Sequence, residues 1–275
     1  MTKRIVLCAD DYGQALAISQ GVLALVENGR LSAVSCMVNT PCWSEHAAWL
    51  KPYQQKVDMG LHFNLTHGQP LSNAYRGAYG NEFLALTQVM QKSFFRQFDR
   101  KILAEECAAQ VDAFANAIGV LPDFIDGHQH VHQFPVIRDA VVQVYKEKLS
   151  AKKAYMRLVN PKIYLSDFLF NIKKIIIVVS GANGLARLLK QHQIPHNQSF
   201  AGTYAFDQVQ QYPQYFQQFM QESQDQGLIM CHPGLISADS SDPIAKSRDV
   251  EFRYLMSEQF TRDCEQSGVA IGKMP

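Results

Sequence analysis

Short apolar runs that stop abruptly at a polar residue recur along this chain, and they constrain its fold more than any other feature. Residues 4–9 read Arg-Ile-Val-Leu-Cys-Ala and break at Asp10-Asp11-Tyr12-Gly13. Such a run predicts a strand buried on both faces, the kind found in parallel sheets. Similar strands are expected at 31–38, closed by Asn39-Thr40-Pro41, and at 57–65, with His62 near the end. Others are expected at 123–127, at 154–159 carrying Arg157, at 227–231 ending in His232-Pro233-Gly234, and at 269–272.

Helical periodicity fills the gaps. Ile18, Val22, Leu25 and Val26 share a face of a helix that stops at Asn28-Gly29, and 44–50 is a short helix. Leu103, Cys107, Val111, Phe114 and Ile118 predict an amphipathic helix over 102–118, ended by Gly119. Residues 135–149, 207–223 and 248–263 also read as helices. Residues 66–100 have weak periodicity and read as a long loop with short helices. Residues 161–204 mix a basic-apolar helix with Gly-Ala-Asn-Gly and read as an insertion over a site.

Strands alternating with helices predict a parallel sheet with right-handed crossovers. At 275 residues the chain suits a (β/α) barrel, for which about 250 residues is typical. An open doubly wound sheet is the alternative, but no G-x-G-x-x-G follows the first strand. The expectation is an α/β fold: a barrel-like parallel barrel with irregular strands, forming one domain over 1–275. Loop insertions fall at about 67–100 and 161–204.

With 26 basic and 25 acidic residues, bulk charge recruits neither nucleic acid nor a membrane surface. The apolar run at 5–9 is too short for a signal peptide, and that at 175–179 is far below the roughly 20 residues of a membrane helix. Six scattered cysteines without a C-x-x-C pair point to reduced thiols in a cytoplasmic protein.

The chemistry-bearing residues sit where the strands stop: Asp10 and Asp11, His62, His128 and His232. In parallel α/β folds those carboxyl ends share one rim, where active sites are built. Taken singly, each has a plainer explanation. One aspartate could cap the helix beginning near Gly13, His62 could be a satisfied core histidine, and His-Pro-Gly could be only a turn. Their joint placement favours a site. Alternation along a regular strand would put only one of two adjacent aspartates there. Leaving strand geometry at Asp11, with Gly13 close by, would bring in both, one as a metal ligand and the other as a base.

Two histidines and one aspartate with open positions make a catalytic metal site. A bound Zn²⁺ lowers the pKa of water from 15.7 to about 7, and Mg²⁺ does less. Residues 126–135 hold His128, His130 and His132. A continuing strand would align all three, and a helix would align 128 with 132.

Four motifs carry a family resemblance. They are Ala9-Asp10-Asp11-Tyr12-Gly13, Gly60-Leu61-His62-Phe63-Asn64-Leu65-Thr66, Asp126-Gly127-His128-Gln129-His130-Val131-His132-Gln133-Phe134-Pro135 and Cys231-His232-Pro233-Gly234. In this order they resemble the YdjC-like family of carbohydrate deacetylases, which includes chitooligosaccharide deacetylases. The resemblance implies a barrel-like fold and one divalent metal ion, commonly Mg²⁺, held by Asp11, His62 and His128. It implies Asp10 as general base, His232 as the acid that protonates the leaving amine, and removal of an acetyl group from an N-acetylated sugar.

Two imidazoles suit Zn²⁺ or another transition metal better than Mg²⁺, so the metal is left open. His130 and His132 are candidates to bind substrate, to support a ligand from behind or to replace His128. Arg157 could orient Asp10, contact the sugar or form a surface ion pair. Tyr75, Tyr79, Phe83, Phe94, Phe95 and Phe98 could stack on sugar, with core packing favoured for most. The expected partner is a small carbohydrate, with a homodimer among the open oligomeric states. The competing readings are another metal hydrolase, a phosphoesterase or amidohydrolase, and a sugar-binding protein without chemistry.

Overall fold

A computed structural model describes residues 2–160, 181–236 and 242–275. Its strands are β1 (Lys3–Tyr12), β2 (Ala33–Cys36), β3 (Asp58–Phe63), β4 (Phe124–Gly127), β5 (Tyr155–Met156), β6 (Phe200–Ala201), β7 (Gly227–Cys231) and β8 (Val269–Ile271). They pair in parallel in the order β5-β4-β3-β2-β1-β7-β6, with β8 added beside the start of β1. The two ends of the sheet then meet. Met156 forms a parallel bridge with His196, and the Asn197 side chain both accepts from and donates to the Leu158 backbone. Because Phe200 and Ala201 pair with β7, residues 195–201 curl the sheet into an irregular barrel.

Alternation divides the side chains between two cores. One face packs Ile5, Leu7, Ala9, Val34, Leu61 and Ile125 beneath the surrounding helices. The other fills the barrel with Val6, Cys8, Ala33, Phe124, Tyr155, Phe200, Leu228 and Met230. Gly60 belongs to this inner layer, because a Cβ there would sit 2.3 Å from the Phe124 ring. One step further along each strand the inner layer turns polar, and the site begins there.

The helices are α1 (Leu16–Glu27), α2 (Trp43–Leu50), α3 (Asn73–Tyr79), α4 (Leu86–Phe94), α5 (Arg100–Ile118), α6 (Ile137–Val144), α7 (Asn183–Gln191), α8 (Tyr212–Glu222), α9 (Ala245–Met256) and α10 (Glu258–Gln266). In α5 the Asp99 side chain accepts from the Lys101 N–H, and Gly119 ends the helix at φ 95°. Its buried face is the one read from the sequence, each large apolar side chain contributing about 1.5–3 kcal/mol.

Several expectations need correction. The single helix at 248–263 is two, because Ser257 turns extended (ψ 160°) and its Oγ accepts from the Phe260 N–H as a new N-cap. Residues 207–223 open with a tight turn, and α8 starts only at Tyr212, ahead of Pro213. In 135–149, α6 gives way at Tyr145 to a wider helical turn. Neither Asp10 nor Asp11 caps α1, whose N-cap is Ala15. β6 was not anticipated. The basic-apolar helix and the apolar run at 175–179 lie, up to residue 180, outside the described residues. Among the described residues no helix is long and apolar enough to cross a membrane.

Candidate active site

The polar layer follows from sheet register. Two residues beyond Cys8, Ala33, Gly60, Phe124, Tyr155 and Met230 of the barrel interior come Asp10, Ser35, His62, Asp126, Arg157 and His232. His62 and Asp126 are direct partners across β3 and β4. By the same alternation Asp11 would face the helices. It does not, because the β1–β2 register slips between Ala9 and Tyr12 and Asp11 takes φ 65°. Aspartate tolerates this left-handed region better than most residues, and a bulge re-aims the side chain. Gly13 completes the turn at φ 89°, with the Met37 carbonyl where a Cβ would project. Both carboxylates therefore line one cavity of about 680 Å³.

Asp11, His62 and His128 converge so that one donor atom from each lies within 4.8 Å of the others. Asp11 Oδ1 is 2.9 Å from His128 Nδ1 and 3.4 Å from His62 Nε2. His62 and Asp11 are each held from behind. His62 Nδ1–H donates to Asp126 Oδ1 (2.7 Å), which also accepts from Ser35 Oγ (2.6 Å). The other Asp11 oxygen accepts from Arg248 (2.9 Å), and the Arg248 Nε donates to Asp242 (2.7 Å).

Burial alone would raise the Asp11 carboxyl, but Arg248 and His128 hold it well below the usual range. Burial would likewise lower His62, yet Asp126 and Asp10 push it up to about 10. Burial does lower His128, despite Asp11. One carboxylate and two imidazoles, with the far atoms of Asp11 and His62 tied back, form a donor set that fits a divalent ion.

Beside this group, Arg157 is fully buried and forks onto Asp10, with Nη1 to Oδ2 at 2.7 Å and Nη2 to Oδ1 at 2.6 Å. Nη2 also reaches Asp126 Oδ2 at 2.6 Å and Cys8 Sγ at 3.0 Å. The Arg157 charge outweighs the burial that would raise Asp10 and holds that carboxyl ionised. Arg157 is thus neither a surface ion pair nor exposed to a sugar. It joins Asp10 to the carboxylate behind His62.

The triple histidine forms neither a strand nor a regular helix. Gln129 (φ 52°) and His130 (φ 61°) are left-handed, so the rings diverge. His128 faces Asp11, and His130 lines the cavity with its ring edge-on to Phe200 at 5.9 Å. His132 points away and donates from Nε2 to the Arg157 carbonyl (2.9 Å); burial lowers its pKa to about 4. The backbone at Gly127 lies so close to His132 that a Cβ would meet its Nδ1 at 2.8 Å.

His232 lines the cavity from the end of β7, its ring edge-on to Phe206 at 5.6 Å. The His-Pro-Gly segment is docked on α1: Gly234 abuts Gly21, whose added Cβ would meet the Gly234 Cα at 2.9 Å. Of the six aromatic candidates none lines the cavity. Tyr75, Tyr79, Phe83 and Phe98 pack edge-on among themselves, and Phe94 packs on Phe134. The apolar wall is instead built by Leu86, Met90, Phe134, Tyr204, Phe206 and Ile244.

Several contributors were not singled out in the sequence: Ser35, Asp126 as a partner of His62, His67 on the cavity wall, Arg248, Glu251 and Tyr204. For Asp126 the signal was available, since it opens the histidine motif at a strand end. Arg248 and Glu251 sit in a helix whose charges look solvent-facing.

A family model described as YdjC-like protein matches residues 4–266. A human protein named carbohydrate deacetylase is 35% identical over 153 residues, covering 54% of this chain and 46% of its own length. A protein of Yersinia pestis (strain Pestoides F) named chitooligosaccharide deacetylase is 30% identical over 148 residues, covering 54% of this chain and 58% of its own. The match thus spans about half the length of these curated relatives. A crystal structure from Enterococcus faecalis V583, of a proposed cellobiose-phosphate cleavage protein, has a TM-score of 0.76 at 16% identity. It covers 100% of this chain and 98% of that one, and it shares the fold.

Proposed function

The chain belongs to the YdjC-like family, and from that premise we propose that it is a metal-dependent deacetylase removing an acetyl group from an N-acetylated sugar or short oligosaccharide. The observation that carries this reading is the pairing of two sites in one cavity. The three converging donors of Asp11, His62 and His128 stand beside an ionised Asp10 that is not among them. The names of the human and Yersinia relatives point to the same activity. The cavity volume of about 680 Å³ falls within the range of small-ligand sites.

Asp11, His62 and His128 would hold one divalent ion. When bound, that ion supplies Lewis acidity toward the amide carbonyl and makes water acidic enough to be deprotonated near neutral pH. Asp10 is the proton acceptor. Arg157 keeps it ionised and fixes both of its oxygens, so the attacking water loses its proton to a carboxylate that does not have to reorient. Asp126 and Ser35 hold the His62 ring by Nδ1, and Arg248 restrains the second oxygen of Asp11. His232 is the acid that delivers a proton to the departing amine. Leu86, Met90, Phe134, Tyr204 and Phe206 supply apolar surface for the sugar faces and exclude water around the reacting amide.

The ligand set of two imidazoles and a carboxylate favours Zn²⁺ or a related transition ion, whereas the family resemblance implies Mg²⁺. Reconstitution with each ion decides between them. The six unpaired cysteines support a cytoplasmic location. The test of the function is acetate release from a panel of N-acetylated mono- and oligosaccharides, with the metal chelated and then restored. Acetate release that stops on chelation and returns with one ion is the expected result. Failure on every member, or turnover indifferent to metal, would refute the reading.

A further inference from the structure

β7 ends at Cys231, so His232 is the first residue on that strand without the sheet to hold it. Among the described residues its ring Nδ1, although buried, has no hydrogen-bond partner. The ring stands edge-on to Phe206 at 5.6 Å. Its backbone is held from α9 instead. The Glu251 side chain, fully buried, accepts the His232 N–H through Oε2 at 2.6 Å and the Tyr204 hydroxyl through Oε1 at 2.5 Å. The Gly234 N–H donates to the Arg248 carbonyl of the same helix (3.1 Å). A buried carboxylate with no cation in hydrogen-bonding contact costs free energy unless its acceptors are filled, and here both are filled by residues of the cavity wall.

We propose that Glu251 is the positioning residue for His232, tying the β7 end and Tyr204 to α9 so that the imidazole stands where an acid is needed. The inference rests on the reading of His232 as the acid. Glu251 touches no substrate and acts through the backbone.

The test compares Glu251→Ala, Glu251→Gln and Tyr204→Phe on two substrates, an N-acetylated sugar and 4-nitrophenyl acetate, whose phenolate leaves without an acid. Glu251→Ala should lower kcat on the amide about 100-fold, near the lower range for general acid–base catalysis. KM, bound metal and aryl ester turnover should change little. Glu251→Gln, which keeps a carbonyl acceptor for the His232 N–H, should recover most of the loss, and Tyr204→Phe should lose only a few-fold. Equal losses on both substrates, or wild-type amide turnover in Glu251→Ala, would overturn the proposal.

An activity-independent readout accompanies these: crystal structures of the Ala and Gln variants. The His232 ring should leave its contact with Phe206 in the first and keep it in the second, and an unmoved ring in Glu251→Ala would overturn the proposal too. If the wild type releases no acetate from any sugar, the deacetylase reading falls, while ring placement still decides what Glu251 does. Where Glu251→Ala does not fold, Glu251→Met takes its place, filling the same space without an acceptor for the His232 N–H, with the same results expected and the same results overturning the proposal.

Discussion

On the β1–β4 side of the cavity most of the support comes from the strands and their ends: His62 is held by its register partner Asp126, Asp126 by Ser35 and Arg157, and Asp11 by His128 at one oxygen, with Arg248 of α9 at the other. On the β7 side the His232 ring Nδ1 has no such partner among the described residues, and its backbone is held by Glu251, nineteen positions later on α9. The first half is built largely by the sheet, because parallel pairing sets Ser35, His62 and Asp126 side by side, while Asp11 enters through the slip in β1 and is restrained from α9. The second is built by a helix that must dock correctly before the site is complete. A rim made by register follows from strand pairing, whereas a rim made by docking depends on how a helix packs against the sheet.

Removing a donor on the sheet-built side should have the largest effect. His128→Ala should abolish stoichiometric metal binding, read by elemental analysis of chelated and reloaded protein, and turnover should fall to background. Retained stoichiometric metal would show that this half does not hold the ion. Next comes Arg157, the cation between Asp10 and Asp126 with no exposure to solvent. Arg157→Met leaves two buried carboxylates facing each other, and breaking a buried pair this way costs about 3–5 kcal/mol. Urea unfolding should show that loss, and a change below 1 kcal/mol would mean that the carboxylates reach other partners.

How far the site was legible follows the same division. Asp10, Asp11, His62, His128 and His232 each stand at or close to the carboxyl end of a strand-like apolar run, so strand periodicity exposes them. The departure from strand geometry at Asp11 was also legible, because two adjacent carboxylates cannot both face inward on a regular strand. Arg157 was visible but its partners were not, since those depend on which strands become neighbours. Arg248 and Glu251 carry no local mark of burial. β6 escaped because two residues give no periodicity, and it exists through pairing with β7 and the contact of residues 195–197 with β5 and its extension. The break at Ser257 did carry a signal, a serine followed by Glu258 inside a helical pattern, which the longer apolar period masked.

Smaller effects sharpen the contrast within the sheet-built half. Asp126→Asn keeps the shape but weakens the acceptor behind His62, and metal affinity should drop about 10–100-fold, the range for loss of such a supporting partner. Unchanged affinity in a competition titration would show that the His62 ring is held by packing alone. Ser35→Ala removes one hydrogen bond to Asp126, worth about 0.5–1.5 kcal/mol. Its metal affinity should fall by no more than about 10-fold, less than in Asp126→Asn, and a reversed order would break the account of who supports whom.

The division of labour between the two adjacent aspartates is the claim on which the mechanism turns, and one paired measurement tests it. Asp10→Asn and Asp11→Asn are prepared alike, stripped and reloaded, and assayed for bound metal and acetate release together. Asp10→Asn should keep one equivalent of metal and lose turnover by 10²–10⁴-fold, the range for a general base, while Asp11→Asn should lose both. An Asp10→Asn protein that deacetylates at the wild-type rate, or an Asp11→Asn protein that still binds one equivalent of metal, would contradict it.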